Sequence, residues 1–197
     1  MNPIGVSRME RDLFPLEGAP KGLLFEPEIM TLAEETVFLN TIKKLPFGAF
    51  RMNGVEAKRR VVRFGIHYVS GSAAIVRASG FPISLELLRE RAAAIAGVPT
   101  STLSESLVTE YAPGAGIGWH CDSPSFGIVA GISFGGDCRL RFQRGEGQQR
   151  GTWSLDLPPR SLYVLSGIAR EEWQHSIPPV KERRWSIAFR TLKAAGG

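Results

Sequence analysis

Hydrophobic and polar positions follow two different periods along this chain. In the first hundred residues two stretches have helical spacing. "TLAEETVFLNTIKKL", from Thr31, spaces Leu32, Val37, Leu39 and Ile42 among polar residues, and Thr31 with Glu34 forms a capping-box pair. A helix is predicted there, stopped by Pro46. "SLELLRERAAAIAG" predicts a second helix with Ser84 as N-cap, Gly97 as C-terminal stop and Pro99 beyond. Residues 1–27 are rich in Pro, Gly and charge and read as an irregular arm. Residues 48–80 read as hairpins and loops carrying a basic cluster.

Beyond residue 103 the period becomes two. Short β-rich runs fall at 106–111, 118–122, 127–134, 138–143, 152–157, 161–166, 171–177 and 184–192, separated by turn residues. About eight strands at this spacing predict a sandwich or barrel. In "CRLRFQ", Cys138, Leu140 and Phe142 alternate with Arg139, Arg141 and Gln143. In "RRWSIAFRTL", Trp185, Ile187 and Phe189 form one face, and Arg184, Ser186, Ala188 and Arg190 the other. The fold class is therefore α+β and mainly β: a single domain over 1–197, with N-terminal helices ahead of a β-core over 103–192.

Composition narrows the class further. Of 197 residues, 43% are hydrophobic and 22% charged, as in an ordinary soluble domain. No run is long enough to span a membrane, and the N-terminus lacks the apolar core of a signal peptide. Cys121 and Cys138 are too few for a disulfide framework, so a reducing, cytoplasmic compartment is expected, with both cysteines as small core residues. The four tryptophans are expected in the core, and the protein is expected to be a monomer. The net charge of +5 fits either a nucleic-acid partner or a merely basic soluble protein.

The candidate chemistry begins at "GWHCDSP". If this is a strand, His120 and Asp122 point to one face, and Trp119 and Cys121 to the other. An imidazole and a carboxylate so placed are half of a metal site, with His175 of "EWQHSIPP" the natural third ligand. Two histidines and one carboxylate, leaving positions open, form the facial triad of non-haem Fe(II) oxygenases, whereas structural zinc usually takes a fourth ligand. Arg184 and Arg190 lie on one side of one strand, about 20 Å apart when fully extended. Facing inward, two guanidiniums need anions, and the small Ser186 and Ala188 leave room for one; facing outward, they would simply be solvated.

Together these residues resemble the AlkB family of Fe(II)- and 2-oxoglutarate-dependent dioxygenases. The family's H-x-D…H is matched by His120, Asp122 and His175. Its arginine strand is matched in part by "RWSIAFR", and its tyrosine-turn-glycine approach by "EYAPGAGIGWHCD". The resemblance covers roughly 45–192. It implies a double-stranded β-helix (jelly roll) core with a nucleotide-recognition lid over 48–80. It also implies Fe(II) at His120, Asp122 and His175, with 2-oxoglutarate and O2 as cosubstrates. Arg184 and the Tyr111 hydroxyl would take the distal carboxylate of 2-oxoglutarate, with Arg190 nearer the metal and Asp122. Thr109 and Ser186 stand where the family often has asparagine, and Ala188 where it has threonine. Ser123 and Pro124 stand where repair members carry an acid facing the damaged base.

The implied activity is oxidative demethylation of N-alkylated bases in DNA or RNA, as in alkylation repair. The base must be single-stranded or flipped out to reach such a pocket. Arg59, Arg60, Arg63, Phe64, His67 and Tyr68, with Lys58, interleave cations and aromatics in a way that suits phosphate contact and base stacking. They also suit a solvated hairpin over an aromatic core. The stripe Arg139, Arg141 and Arg144 reads as a solvated strand face. Two other functions stay open: the same chemistry hydroxylating a modified tRNA nucleoside or a protein, and a non-catalytic nucleic-acid-binding module.

Overall fold

The alternating runs pair into two antiparallel sheets. The computed structural model describes residues 16–52, 55–68, 75–77 and 79–193. In chain order the elements are β1 (Leu23–Glu26), α1 (Leu32–Ile42), β2 (Gly48–Met52), β3 (Val55–Tyr68), β4 (Ile75–Arg77), α2 (Ile83–Ala96), β5 (Leu103–Tyr111), β6 (Ile117–His120), β7 (Phe126–Gly135), β8 (Cys138–Arg144), β9 (Gly151–Leu157), β10 (Leu162–Leu165), α3 (Gly167–Glu171), β11 (Gln174–Ile177) and β12 (Arg184–Leu192).

The major sheet runs β1-β10-β7-β12-β5-β3-β2, with β4 on β3, and the minor sheet runs β6-β11-β8-β9. From β5 to β12 the chain passes back and forth between the two sheets, which is the double-stranded β-helix that the resemblance implied, and a sandwich as the strand count predicted. The hairpin region over 48–80 is not separate from this core. β3 pairs with β5 from Arg59↔Tyr111 to Gly65↔Glu105, so β2 and β3 extend the major sheet.

Two apolar cores divide the molecule. In one, Phe38, Ile42, Leu85, Leu88 and Ala92 of the helices pack with Val108, Trp185, Ile187 and Phe189. The apolar face of β12 thus meets the helices, which turns Arg184, Ser186, Ala188 and Arg190 to the other side. In the second core, between the sheets, Tyr111 and Val129 meet Leu140, Phe142, Leu155 and Ile177.

The caps account for both helices. The Thr31 hydroxyl accepts from the Glu34 N–H at 3.2 Å, and the Glu34 carboxylate accepts from the Thr31 N–H at 2.8 Å. Gly97 ends α2 in the left-handed region, at φ 70°. Ser84, expected as N-cap of α2, lies inside the helix. Pro82 is the cap, because its extended backbone (φ −58°, ψ 150°) starts the turn earlier.

Other expectations shift as well. The arm over 1–27 is not irregular throughout, since Leu23–Glu26 pairs with β10; residues 1–15 lie outside the described ones. The run 118–122 stops as a strand at His120, and 171–177 becomes a strand only at Gln174, after α3. Cys121 is exposed and Trp119 is 38% exposed, not core. Both long helices back the major sheet, and the outward face of the minor sheet meets water. There Arg141 lies 5.0 Å over the Trp119 ring, Arg139 pairs with Asp156, and Arg144 pairs with Glu172.

One buried carboxylate fastens α1 to the sheet. Glu35 accepts from the Gly135 N–H at 2.9 Å and from Arg160 at 3.3 Å. Glu35→Ala should lower stability by about 1–3 kcal/mol, the cost of stranding a buried amide, measured by urea unfolding.

Candidate active site

The site lies between the sheets, on the face of β12 turned away from the helices. Antiparallel register sets its rows. Arg184 pairs with Tyr111 and Gly135, Ser186 with Thr109 and Ser133, Ala188 with Leu107 and Gly131, and Arg190 with Glu105 and Val129. Directly paired residues share a face, so these positions line one floor.

At one end stand the three metal-ligand candidates. β11 and β6 pair through His175↔His120, and the two rings lie 4.3 Å apart at 54°. His120 Nδ1–H donates to the Gly118 carbonyl at 2.9 Å, which leaves Nε2 as its free lone pair. His175 Nε2 lies 3.7 Å from Asp122 Oδ2. Burial, reinforced by His120, holds the His175 pKa down to about 4, so the ring is neutral and able to ligate.

Asp122 lies beyond the end of β6, so its direction is set by its loop. Buried Arg170 donates to the carbonyls of Ser123 and, at 3.1 Å, Phe126, and so holds that loop. Burial opposes the charge of Asp122, but Arg190, followed by His175, His120 and Arg170, outweighs it and keeps the carboxyl below its ordinary pKa. Arg190 donates to Asp122 Oδ1 from Nη2 at 2.9 Å and from Nε at 3.2 Å, and from Nη1 to Glu105 at 3.2 Å.

Among the described residues, no trio of His, Cys, Asp and Glu is already closed around one point. Oδ1 of Asp122 is turned to Arg190, Oδ2 lies toward His175 Nε2, and the two imidazole rings lie beside each other. As a donor set, two neutral-capable imidazoles and one ionised carboxylate fit Fe(II).

The other end fits an anion. Arg184 is 1% exposed, yet it makes one hydrogen bond, from Nη2 to Ser133 Oγ at 3.1 Å, and lies 4.9 Å over the Tyr111 ring. Its Nε and Nη1 are buried without a partner. A buried guanidinium left with two unused donors is a cradle for a carboxylate. Thr109 and Tyr111 are buried on the same floor. Gly131 leaves space that Tyr163 occupies: a Cβ there would lie 2.3 Å from the tyrosine Cζ. Burial, then Asp122 and Tyr111, push the Tyr163 hydroxyl above its ordinary pKa, so it stays protonated in the middle of the floor.

The substrate candidates divide between the two faces of β3. Arg59 and Arg63 share the floor side, with their guanidiniums 4.3 Å and 5.9 Å from the Phe50 ring. Burial lowers both pKa values from the ordinary arginine value. Arg60 points the other way and donates to Glu110 at 2.7 Å. Phe64 is buried under the helices. The structure does not bring Arg60 or Phe64 to the site, and the side chains of His67 and Tyr68 lie outside those described.

Sequence reasoning missed Phe50, Glu105, Ser133, Tyr163 and Arg170. Glu105 had a signal: in "SESLVTEY" it shares the parity of Thr109 and Tyr111.

The profile of the 2OG-Fe(II) oxygenase superfamily matches residues 47–192, which hold every one of these groups. The chain belongs to the 2OG-Fe(II) oxygenase superfamily. Within it the chain is AlkB-like, and this oxygenase is a 2-oxoglutarate-dependent dioxygenase using Fe(II), 2-oxoglutarate and O2. It is 29% identical over 184 residues to the Arabidopsis thaliana "Alkylated DNA repair protein ALKBH8 homolog", covering 80% of this chain and 51% of that protein. It is also 29% identical over 178 residues to the Mus musculus "tRNA (carboxymethyluridine(34)-5-O)-methyltransferase ALKBH8", covering 84% of this chain and 26% of that one. The oxygenase thus spans about half or less of the length of these curated relatives. The solved structure of OsALKBH1 shares the fold at a TM-score of 0.66 and 14% identity, over 88% of this chain and 97% of that one.

Proposed function

We propose that this oxygenase removes alkyl groups from ring nitrogens of bases in single-stranded or flipped-out nucleic acid. The observation that carries this reading is the cationic, aromatic rim at the site. Arg59 and Arg63 stack over Phe50 on the strand next to Tyr111, within reach of a phosphate and a base. The two ALKBH8 relatives are named for alkylated DNA and for tRNA, and a third, from Arabidopsis thaliana, is named "RNA demethylase ALKBH9B".

His120, Asp122 and His175 would hold Fe(II). With 2-oxoglutarate and O2, iron supplies oxidation of a substrate C–H bond, with succinate and carbon dioxide as coproducts. Arg184, beside Ser133 and Tyr111, binds the distal carboxylate of 2-oxoglutarate, with Thr109 and Ser186 on the same floor. Arg190 orients Asp122. The hydroxymethyl group left on a base nitrogen would then depart as formaldehyde. The β2–β3 hairpin would act as the lid over the base, and two cysteines without a disulfide fit a cytoplasmic location.

A second reading is favoured by Ser123 and Pro124, which offer no carboxylate to a damaged base: stable hydroxylation of a modified tRNA nucleoside. One panel separates the two. Protein with Fe(II), ascorbate and 2-oxoglutarate is given methylated DNA and RNA oligonucleotides, and succinate and formaldehyde are measured. Equal amounts of both support demethylation. Succinate with a hydroxylated nucleoside and no formaldehyde supports the second reading, and no nucleic-acid-dependent succinate removes both. Arg63→Ala should raise KM for the oligonucleotide about tenfold, as loss of a charged hydrogen bond does, with KM for 2-oxoglutarate unchanged.

A further inference from the structure

Glu105 is 3% exposed and ion-pairs with Arg190 across the β5–β12 ladder, where the two are register partners. Arg190 therefore lies between two carboxylates, Glu105 and Asp122, and donates to both. We infer that Glu105 is a positioning residue for the metal: it draws Arg190 back from Asp122 and supplies the negative charge that lets a divalent cation enter. This rests on the assignment of His120, Asp122 and His175 as the metal ligands.

Charge balance carries the argument. The side chains of Asp122, Glu105, Arg170, Arg184 and Arg190 are all buried, and their formal charges sum to plus one. A divalent metal and the 2-oxoglutarate dianion cancel, so loading leaves that sum unchanged. A buried site tolerates little net charge. Without Glu105 the protein groups sum to plus two, which opposes the cation and favours the dianion. Arg190 would also turn wholly to Asp122, whose oxygens the metal needs. Glu105 lies outside the H-x-D…H set and contributes through Arg190.

Glu105→Gln keeps the shape and removes the charge. Mn(II) binding without turnover, followed by electron paramagnetic resonance, should weaken roughly tenfold, the size expected for one charge at close range in protein. 2-Oxoglutarate binding at saturating Mn(II), by calorimetry, should stay equal or tighten severalfold. Glu105→Asp should recover most of the metal affinity. Wild-type Mn(II) binding, and its loss in His120→Ala, checks the ligand assignment separately. If the wild type binds and Glu105→Gln matches it, the inference fails. It also fails if Glu105→Gln weakens metal and 2-oxoglutarate together, the pattern of a merely structural ion pair, or if Glu105→Asp behaves like the glutamine variant.

Discussion

His120→Ala should lower succinate formation by a factor on the order of 10³ while the protein stays folded. Losing a group that only orients a metal ligand typically costs 10–100-fold, so losing a ligand costs more. The structure limits the damage to chemistry. His120 ends β6 and makes one side-chain hydrogen bond, to Gly118 two residues away. The neighbouring core is built by Phe142, Ile177 and Leu140, which the substitution leaves in place. Mn(II) affinity should fall with turnover, and the urea midpoint of the metal-free protein should shift little. Unchanged succinate formation in this variant would remove the ligand assignment.

Much of this site was legible because strands have a period of two. Once "RRWSIAFRTL" is a strand, Trp185, Ile187 and Phe189 must share a face. Their burial under the helices sends Arg184 and Arg190 to the other. The same rule applied to β3 would have put Arg59 with Arg63 and separated Arg60 and Phe64. Composition alone does not distinguish the two faces. Strand alternation puts His120 and Asp122 on one face, yet the strand ends at His120, and buried Arg170 holds the loop that aims Asp122. Such a contact, made from Arg170 to carbonyls 47 and 44 positions upstream, leaves no mark in local pattern. Tyr163 was hidden for a different reason: "LYVL" is short and apolar throughout, so no alternation marks which side chain crosses Gly131. Residue type alone places Trp119 and Cys121 in the core, whereas both are exposed.

Arg184 poses the opposite case to His120, a residue whose removal should help the empty protein and ruin the loaded one. Its guanidinium is almost wholly buried, with two donors unused and the Tyr111 ring as its main neighbour. A buried charge without a full set of partners costs stability, and an apolar residue of similar volume often restores it. Arg184→Met should therefore leave the metal-free protein as stable as the wild type, or up to about 1–4 kcal/mol more stable, by urea unfolding. Binding should move the other way. Removing one partner of a buried, hydrogen-bonded ion pair costs about 3–5 kcal/mol, so KM for 2-oxoglutarate should rise about 10²–10³-fold. Arg184→Lys should recover only part of this, because a point charge cannot replace the planar fork that meets a carboxylate with two parallel hydrogen bonds. A general loss of folding would lower both quantities. Gain in one with loss in the other marks Arg184 as a group whose charge the fold tolerates for the sake of the cosubstrate.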